Sequence, residues 1–252
     1  MYGSWVLLIL IFISSLPVVA VYVWFRIAKF RFSLVWFLFA LLAGASAIFP
    51  ALVLQELLDF TIFADNRLEQ FYHVFIRIAF TEELSRLLLL FIFFWISGMV
   101  SKENIAKQDD LNSESQPFSS NIIKKGTAIG LVAGLGFAIL ETARVAATAM
   151  DTSIVIFRIF TAALHGACGA RIGAAAVMFR FTPFQALLRV FTATAIHGVY
   201  NFLVIRPGIS SIVAFLIAVC ALITSILIIR SRWDSETGIE SDAALDKTTG
   251  KP

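Results

Sequence analysis

The chain is divided into long apolar segments. The length of each is close to that of a helix that crosses a bilayer, about 20 residues. Seven such segments follow one another, at 5–25, 34–54, 75–99, 126–149, 153–179, 184–205 and 209–229. Because 59% of the residues are hydrophobic and only 15% are charged, the composition excludes an ordinary soluble domain. The sequence therefore predicts an all-α integral membrane protein, a bundle of about seven transmembrane helices, with eight as the alternative.

Basic residues are concentrated on one predicted side of this bundle. They follow segments one, three, five and seven: Arg26, Lys29, Arg31, Lys102, Lys107, Lys124, Lys125, Arg180, Arg230 and Arg232. An excess of Lys and Arg marks cytoplasmic loops, which predicts an N-terminus outside and a C-terminus inside. No basic stretch precedes the first segment, so we expect an uncleaved span rather than a signal peptide. The same loops account for the net charge of +3, and nucleic acid is not an expected partner.

Polar stretches predict the domain limits. We expect a transmembrane domain at 1–229, a hydrophilic loop at about 101–121, and a disordered cytoplasmic tail at 230–252. Residues 55–73 read as a connector or short surface helix, with His73 in a loop. Gly44 and Pro50 indicate close packing or a kink in the second segment. Cys168 and Cys220 lie in apolar runs and are predicted to be small buried hydrophobes.

Charged residues open the third apolar segment, where Glu82, Glu83 and Arg86 precede an unbroken run of apolar residues. Each charge exposed to lipid would cost about 2.5–3.5 kcal/mol, so these side chains should face a protein interior or a wet cavity. Adjacent residues point about 100° apart on a helix, so one carboxylate can face a reacting water while the other braces Arg86. The alternative is an intrahelical salt bridge near the end of the helix.

Three further segments carry polar residues at comparable depth. Phe137 and Glu141 form an i,i+4 pair in the fourth segment, and His197 and Asn201 form another in the sixth. The predicted topology puts the Glu-Glu pair, Glu141 and His197 about 10–12 Å below the outer edge, with His165 nearer the midplane. We therefore expect a single wet pocket in the outer half of the membrane. Taken alone, each histidine could instead be an interhelical hydrogen-bonding residue.

These motifs resemble those of the PrsW family of intramembrane proteases, a relative of the CAAX-type prenyl proteases. The family pattern of Glu-Glu-x-x-Lys, Phe-x-x-x-Glu and His-x-x-x-Asp appears here as Glu82-Glu83-x-x-Arg86, Phe137-x-x-x-Glu141 and His197-x-x-x-Asn201. Gly134-Leu135-Gly136 and Leu164-His165-Gly166 look like the family's glycine-rich approach and its additional histidine helix. The resemblance covers about residues 80–203. Two positions depart from it: an arginine replaces the lysine, and an asparagine, as in the CAAX-type enzymes, replaces the aspartate.

The resemblance implies a glutamate-type peptidase. Its catalytic residues would be Glu82, Glu83, Glu141, His165, His197 and Asn201, supported by Arg86 and Phe137. Either Glu82 or Glu83 would be the general base, and Glu141 would share the proton or orient the water. His197 and the Asn201 amide would stabilise the oxyanion, while His165 would position water or donate a proton.

Catalysis without a metal is the expectation, because the His-Glu-x-x-His signature does not occur in the chain. The alternative is a divalent ion such as zinc, with His165, His197, Glu82 and Glu141 as the candidate ligands.

The resemblance also implies the substrate and the location. The substrate would be a membrane-protein segment, cut in or next to the lipid bilayer as in site-1 cleavage of an anti-sigma factor, and the enzyme would be a multi-pass protein of the bacterial inner membrane. A proton- or cation-coupled transporter and a catalytically silent scaffold are the alternatives. No inverted repeat or pair of broken helices supports transport.

Overall fold

A computed structural model describes residues 2–28, 30, 32–62, 66–98, 119–148, 154–204 and 209–248. Every regular element in these ranges is a helix, which confirms the predicted all-α class. The elements are α1 (Tyr2–Ile27), α2 (Leu34–Ser46), α3 (Ile48–Leu57), α4 (Asn66–Phe71), a π-helix (Tyr72–Phe80), α5 (Thr81–Ile96), α6 (Ser119–Thr148), α7 (Ile154–Met178), α8 (Pro183–Val204) and α9 (Ile209–Thr248).

Four helical stretches in the described part of the chain are long and apolar enough to cross a membrane. They are Leu34–Leu57, Ile122–Val145, Pro183–Val204 and Ser210–Arg230. Large apolar side chains on their outer faces, such as Phe39, Phe191 and Leu216, are exposed on the isolated chain. Such faces are stable in contact with lipid, so the chain is a helical membrane protein.

The second predicted segment contains the expected break. α2 ends at Ser46 and α3 begins at Ile48, with Pro50 in the first turn of α3, where a missing backbone N–H is tolerated. Gly44 lies against α6 so closely that a Cβ there would be 1.8 Å from the carbonyl oxygen of Ala133. The predicted close packing is confirmed, and the helix is interrupted at Ala47 between α2 and α3.

The polar connector before the third segment is helical from Asn66 onward, and the prediction that His73 lies in a loop is wrong. α4 continues into the π-helix, which contains His73 and leads directly into α5. Residues 66–74 contain neither glycine nor proline, so nothing in the local sequence ends the helix. The π-helix ends at Phe80. The next residue, Thr81, donates a hydrogen bond through Oγ1 to the carbonyl of Arg77 at 2.6 Å.

A glycine seam joins α6 to α7 at the centre of the fold. Gly126, Gly130 and Gly134 recur every fourth residue on α6, opposite Gly173, Gly169 and His165 of the antiparallel α7. A Cβ at Gly130 would lie 2.1 Å from the carbonyl oxygen of Gly169, and one at Gly134 would lie 2.0 Å from that of His165. The two backbones are therefore in contact, as small residues permit in membrane helices.

Arg171 attaches α9 to this centre from the opposite side of α7. Its guanidinium donates to Ser225 Oγ and Thr224 Oγ1, each at 2.9 Å, and to the carbonyl of Ala221 at 3.3 Å. Cys168 is buried as predicted, but Cys220 is exposed, because it lies off the buried face of α9 that Ala214 and Ala218 form.

The polar stretches are only partly within the described residues. α9 extends as a helix to Thr248, past residue 230, where low hydrophobicity predicts the start of a disordered tail. Low hydrophobicity predicted that disorder, but a polar sequence with a single glycine can still form a continuous backbone helix. Most of the expected loop at 101–121 lies outside the described residues, and its last three positions are the start of α6.

Candidate functional site

Glu83, in the first turn of α5, is held by two basic groups. Its side chain is fully buried, and its Oε1 accepts a hydrogen bond from Arg86 Nη2 at 2.5 Å. The same oxygen lies 2.8 Å from His197 Nδ1 on α8. A carboxylate can only accept, so in the neutral ring Nδ1 carries the proton and Nε2 keeps a lone pair.

Glu82 has different partners, as the predicted separation of adjacent side chains requires. Its Oε2 lies 3.7 Å from His197 Nε2 and is buried without a hydrogen bond. Its Oε1 accepts from Gln55 Nε2 at 3.2 Å. One carboxylate oxygen is therefore available beside an imidazole nitrogen.

Arg86 cross-links the helices around this pair. Its Nη1 donates to the carbonyl of His165 on α7 at 3.3 Å, and its guanidinium carbon lies 4.7 Å from the centroid of the Phe137 ring on α6. A flat guanidinium can lie over a ring face while it donates hydrogen bonds in its own plane, a geometry that the compact ammonium of a lysine does not offer.

His165 is oriented by Glu141. Its Nε2 lies 2.9 Å from Glu141 Oε2, so in the neutral ring Nε2–H donates to the carboxylate and Nδ1 keeps a lone pair. That Nδ1 is buried and has no hydrogen-bond partner. The His165 ring stands perpendicular to the His197 ring with the centroids 5.0 Å apart. Glu141 is 16% exposed, whereas Glu82 is 5% exposed and Glu83 is fully buried.

Together these residues form a Glu/His cluster, defined here as Glu82, Glu83, Glu141, His165 and His197. Within it, Glu82, His165 and His197 each offer one ligand atom, and the three atoms lie within 4.8 Å of one another. The two histidines are oriented by the carboxylates of Glu83 and Glu141, an outer-shell arrangement typical of metal-ligating histidines.

The donor set fits a divalent ion. Glu82 Oε2 and His165 Nδ1 are buried without partners, which is costly unless something binds there. Three protein ligands that leave further coordination positions open are the arrangement of catalytic zinc sites. The predicted alternative ligand set included Glu141 as well. In the structure the Glu141 carboxylate orients His165 from outside, and it is not one of the three residues whose ligand atoms lie close together.

Asn201 is the predicted site residue that the structure does not tie to the cluster. It lies one turn beyond His197 on α8 and is half-buried. Among the described residues, no hydrogen bond joins its amide to any member of the Glu/His cluster. The i,i+4 spacing fixes a common face, but one helical turn of about 5.4 Å still separates the two positions.

Sequence reasoning missed two residues beside the cluster, Gln55 and Arg77. Gln55 lies near the end of α3 and contacts Glu82 directly, and Arg77 Nε donates to the carbonyl of Gln55 at 2.9 Å. The signal for Gln55 was a lone amide directly after the apolar run that ends at Leu54. Because the apolar run ends at Leu54, the sequence places Gln55 in the connector rather than in the helix.

The Glu/His cluster brings carboxylates and imidazoles from four helices of a membrane protein together, and these are groups that hydrolysis inside a membrane requires. The chain belongs to the PrsW family, described as intramembrane metalloproteases, whose family model matches residues 33–228. No curated protein and no solved structure matches the chain. Membership confirms the resemblance drawn from the motifs and makes the chain an intramembrane protease. The match is longer than the motif region and begins immediately before α2.

Proposed function

We propose that the protein is a metal-dependent intramembrane endopeptidase, which hydrolyses a peptide bond in or next to the membrane-embedded segment of a substrate protein. The observation that carries this proposal is the convergence of Glu82 from α5, His165 from α7 and His197 from α8, with ligand atoms within 4.8 Å of one another. All three side chains are almost completely buried, so the site can exclude bulk water.

Each residue of the site has a separate task. Glu82 Oε2 and one nitrogen each of His165 and His197 would hold the ion, which when bound would activate a water molecule and polarise the scissile carbonyl. Glu83 fixes the ring of His197, and Arg86 balances the charge of Glu83. Glu141 fixes His165 and, as the most exposed of the three carboxylates, is the candidate to accept the proton of the attacking water.

A metal-free route uses the same residues differently. Glu82 would then be the general base, through the same unpaired Oε2, and His197 would stabilise the oxyanion. Asn201 would assist there only after a movement that brings its amide to the cluster. In this route His165 would position the water or donate a proton, whereas the metal-dependent route uses its unpartnered Nδ1 together with the unpartnered Glu82 Oε2 as ligands.

The orientation of the chain locates the cleavage. Seven spans with the N-terminus outside, in the inner membrane of a bacterium, would put Glu82, Glu83, Glu141 and His197 about 10–12 Å below the outer surface, with His165 nearer the midplane. Substrates would be membrane proteins cut near that surface, with anti-sigma factors as one class. The contacts among Glu82, Glu141, His165 and His197 agree with the overlapping depths that this topology gives them.

Substrate trapping tests the function. The full-length Glu82→Gln variant, tagged and expressed in cells, should retain an uncut single-pass membrane protein that wild type releases as fragments, and mass spectrometry would identify it. Glu56→Gln, an exposed neighbour on α3, is the control and should cut normally. Ion flux through proteoliposomes together with identical partner profiles in wild type and Glu82→Gln would overturn the proposal in favour of a transporter. Unchanged partners without flux would indicate a scaffold.

A further inference from the structure

Gln55 contacts the candidate metal site from a helix that carries none of the recognised motifs. Its Nε2 donates to Glu82 Oε1 at 3.2 Å. We propose that Gln55 is a positioning residue, which holds Glu82 so that its other oxygen faces the two histidines. This inference rests on the proposed function, because it assigns Glu82 Oε2 as a metal ligand.

The hydrogen bond from Gln55 selects which oxygen of Glu82 is free. Among the described side chains, Gln55 alone donates a hydrogen bond to Glu82, and it binds Oε1 only. Oε2 is left buried, unpaired and 3.7 Å from His197 Nε2. A carboxylate has no proton to donate, so the Gln55 amide must turn its nitrogen towards Glu82. The direction of this hydrogen bond is therefore fixed, with Gln55 as the donor.

The type of residue also suits this task. A neutral amide donates to an anion without altering the charge of a cluster that already holds three carboxylates. A glutamate at position 55 would add a fourth carboxylate beside them. An apolar side chain would leave Glu82 Oε1 unpaired near the protein interior, which is unfavourable for a charged group.

Gln55 is itself fixed by the segment that leads into α5. Arg77, on the π-helix, donates through Nε to the carbonyl of Gln55 at 2.9 Å and pairs through Nη1 with Asp59 at 2.7 Å. Thr81, which precedes Glu82 in the sequence, donates a hydrogen bond through Oγ1 to the carbonyl of Arg77. The end of α3 and the start of α5 therefore form one connected unit around Glu82. Outer-shell groups of this kind typically contribute 10–100-fold to metal affinity.

Metal affinity tests the inference without a substrate. The full-length protein, purified in detergent and stripped of metal, would be titrated with Zn²⁺ against a competing chelator. Gln55→Met keeps the length of the side chain and removes the donor, so we expect the Kd for Zn²⁺ to rise about 10–100-fold. Gln55→Ala should give the same rise. Glu56→Ala, the exposed neighbour, should bind Zn²⁺ like wild type.

The visible spectrum of the Co²⁺-substituted protein separates positioning from folding. If Gln55 orients Glu82, the spectrum of Gln55→Met should change while the metal-free variant stays folded, with one cooperative thermal transition like that of Glu56→Ala. An unchanged Kd and an unchanged spectrum in both Gln55 variants, beside a wild type that binds Zn²⁺, would overturn the inference alone. A wild type that binds no Zn²⁺ would overturn both the inference and the proposed metal centre.

Discussion

Glu83 Oε1 lies 2.8 Å from His197 Nδ1, while Glu82, the preceding residue, faces the other nitrogen of the same ring at 3.7 Å. Two carboxylates that are adjacent in sequence therefore lie beside the two different nitrogens of one imidazole ring. Glu83 is also paired with Arg86, so it belongs to the framework of the site. Glu82 keeps one oxygen without a partner, so it is the carboxylate available for chemistry.

This division predicts different consequences for the two isosteric substitutions. Glu82→Gln should abolish cleavage of the membrane protein that it traps, yet change the free energy of unfolding little. Glu83→Gln should lower the free energy of unfolding by about 3–5 kcal/mol, because it leaves the buried charge of Arg86 without its partner. Unfolding in mixed detergent micelles and cleavage of the trapped protein measure the two effects. Equal loss of stability in both variants would contradict the division.

Arg86→Lys keeps the charge but removes the flat guanidinium that stacks on Phe137 and reaches His165. We expect a loss of about 2 kcal/mol in the free energy of unfolding, the scale of a desolvated cation–π contact. Phe137→Leu in the wild-type background should cost a similar amount, but the two losses should not add in the double variant, since they remove the same contact. Additive losses would show that the stacking does not stabilise the fold.

Glu141→Ala removes the acceptor that orients His165. Affinity for Zn²⁺ should fall about 10–100-fold, the typical effect of losing an outer-shell carboxylate. Isothermal titration with metal-stripped protein provides the measurement. Arg180→Ala, which changes a charge away from the cluster, is the control. A wild-type affinity for Zn²⁺ in Glu141→Ala would show that this carboxylate does not support the metal site.

The glycine seam predicts a contrast between two glycines beside His165. A Cβ at Gly134 would meet the His165 carbonyl at 2.0 Å, and that backbone cannot move independently of α7, so Gly134→Ala should cost about 3 kcal/mol or more. A Cβ at Gly166 would meet only the ends of Leu131 and Leu135 at 3.2 Å. Gly166→Ala should therefore stay within about 1 kcal/mol of wild type, because helix propensity offsets the crowding. Thermal unfolding distinguishes them, and similar losses would contradict backbone contact at the seam.

The sequence predicted the parts of the fold that depend on local pattern. Apolar length located the helices, and Gly44 indicated the close packing that the structure shows against α6. Motif spacing selected Glu82, Glu83, Glu141, His165 and His197, all of which meet in the cluster. The motifs selected these residues correctly as neighbours because a charged side chain in a membrane helix must face a protein interior or a wet cavity.

Other features depend on contacts between distant segments, which spacing does not encode. Gln55 reaches Glu82 where Arg77 joins the end of α3 to the π-helix, and neither the π-helix nor that hydrogen bond has a local sequence signature. The expectation of metal-free catalysis came from the missing His-Glu-x-x-His motif. A ligand set drawn from three helices has no such local motif, so its absence carried little information.

The central claim is that Glu82, His165 and His197 hold one divalent ion, and its most direct test is Co²⁺ absorption by the purified full-length protein. We expect one Co²⁺ per chain with visible bands in wild type, and loss of those bands in Glu82→Ala, His165→Ala and His197→Ala. His73→Ala, the remaining histidine, should behave like wild type. Equal Co²⁺ binding in all four variants, or none in wild type, would contradict the metal centre.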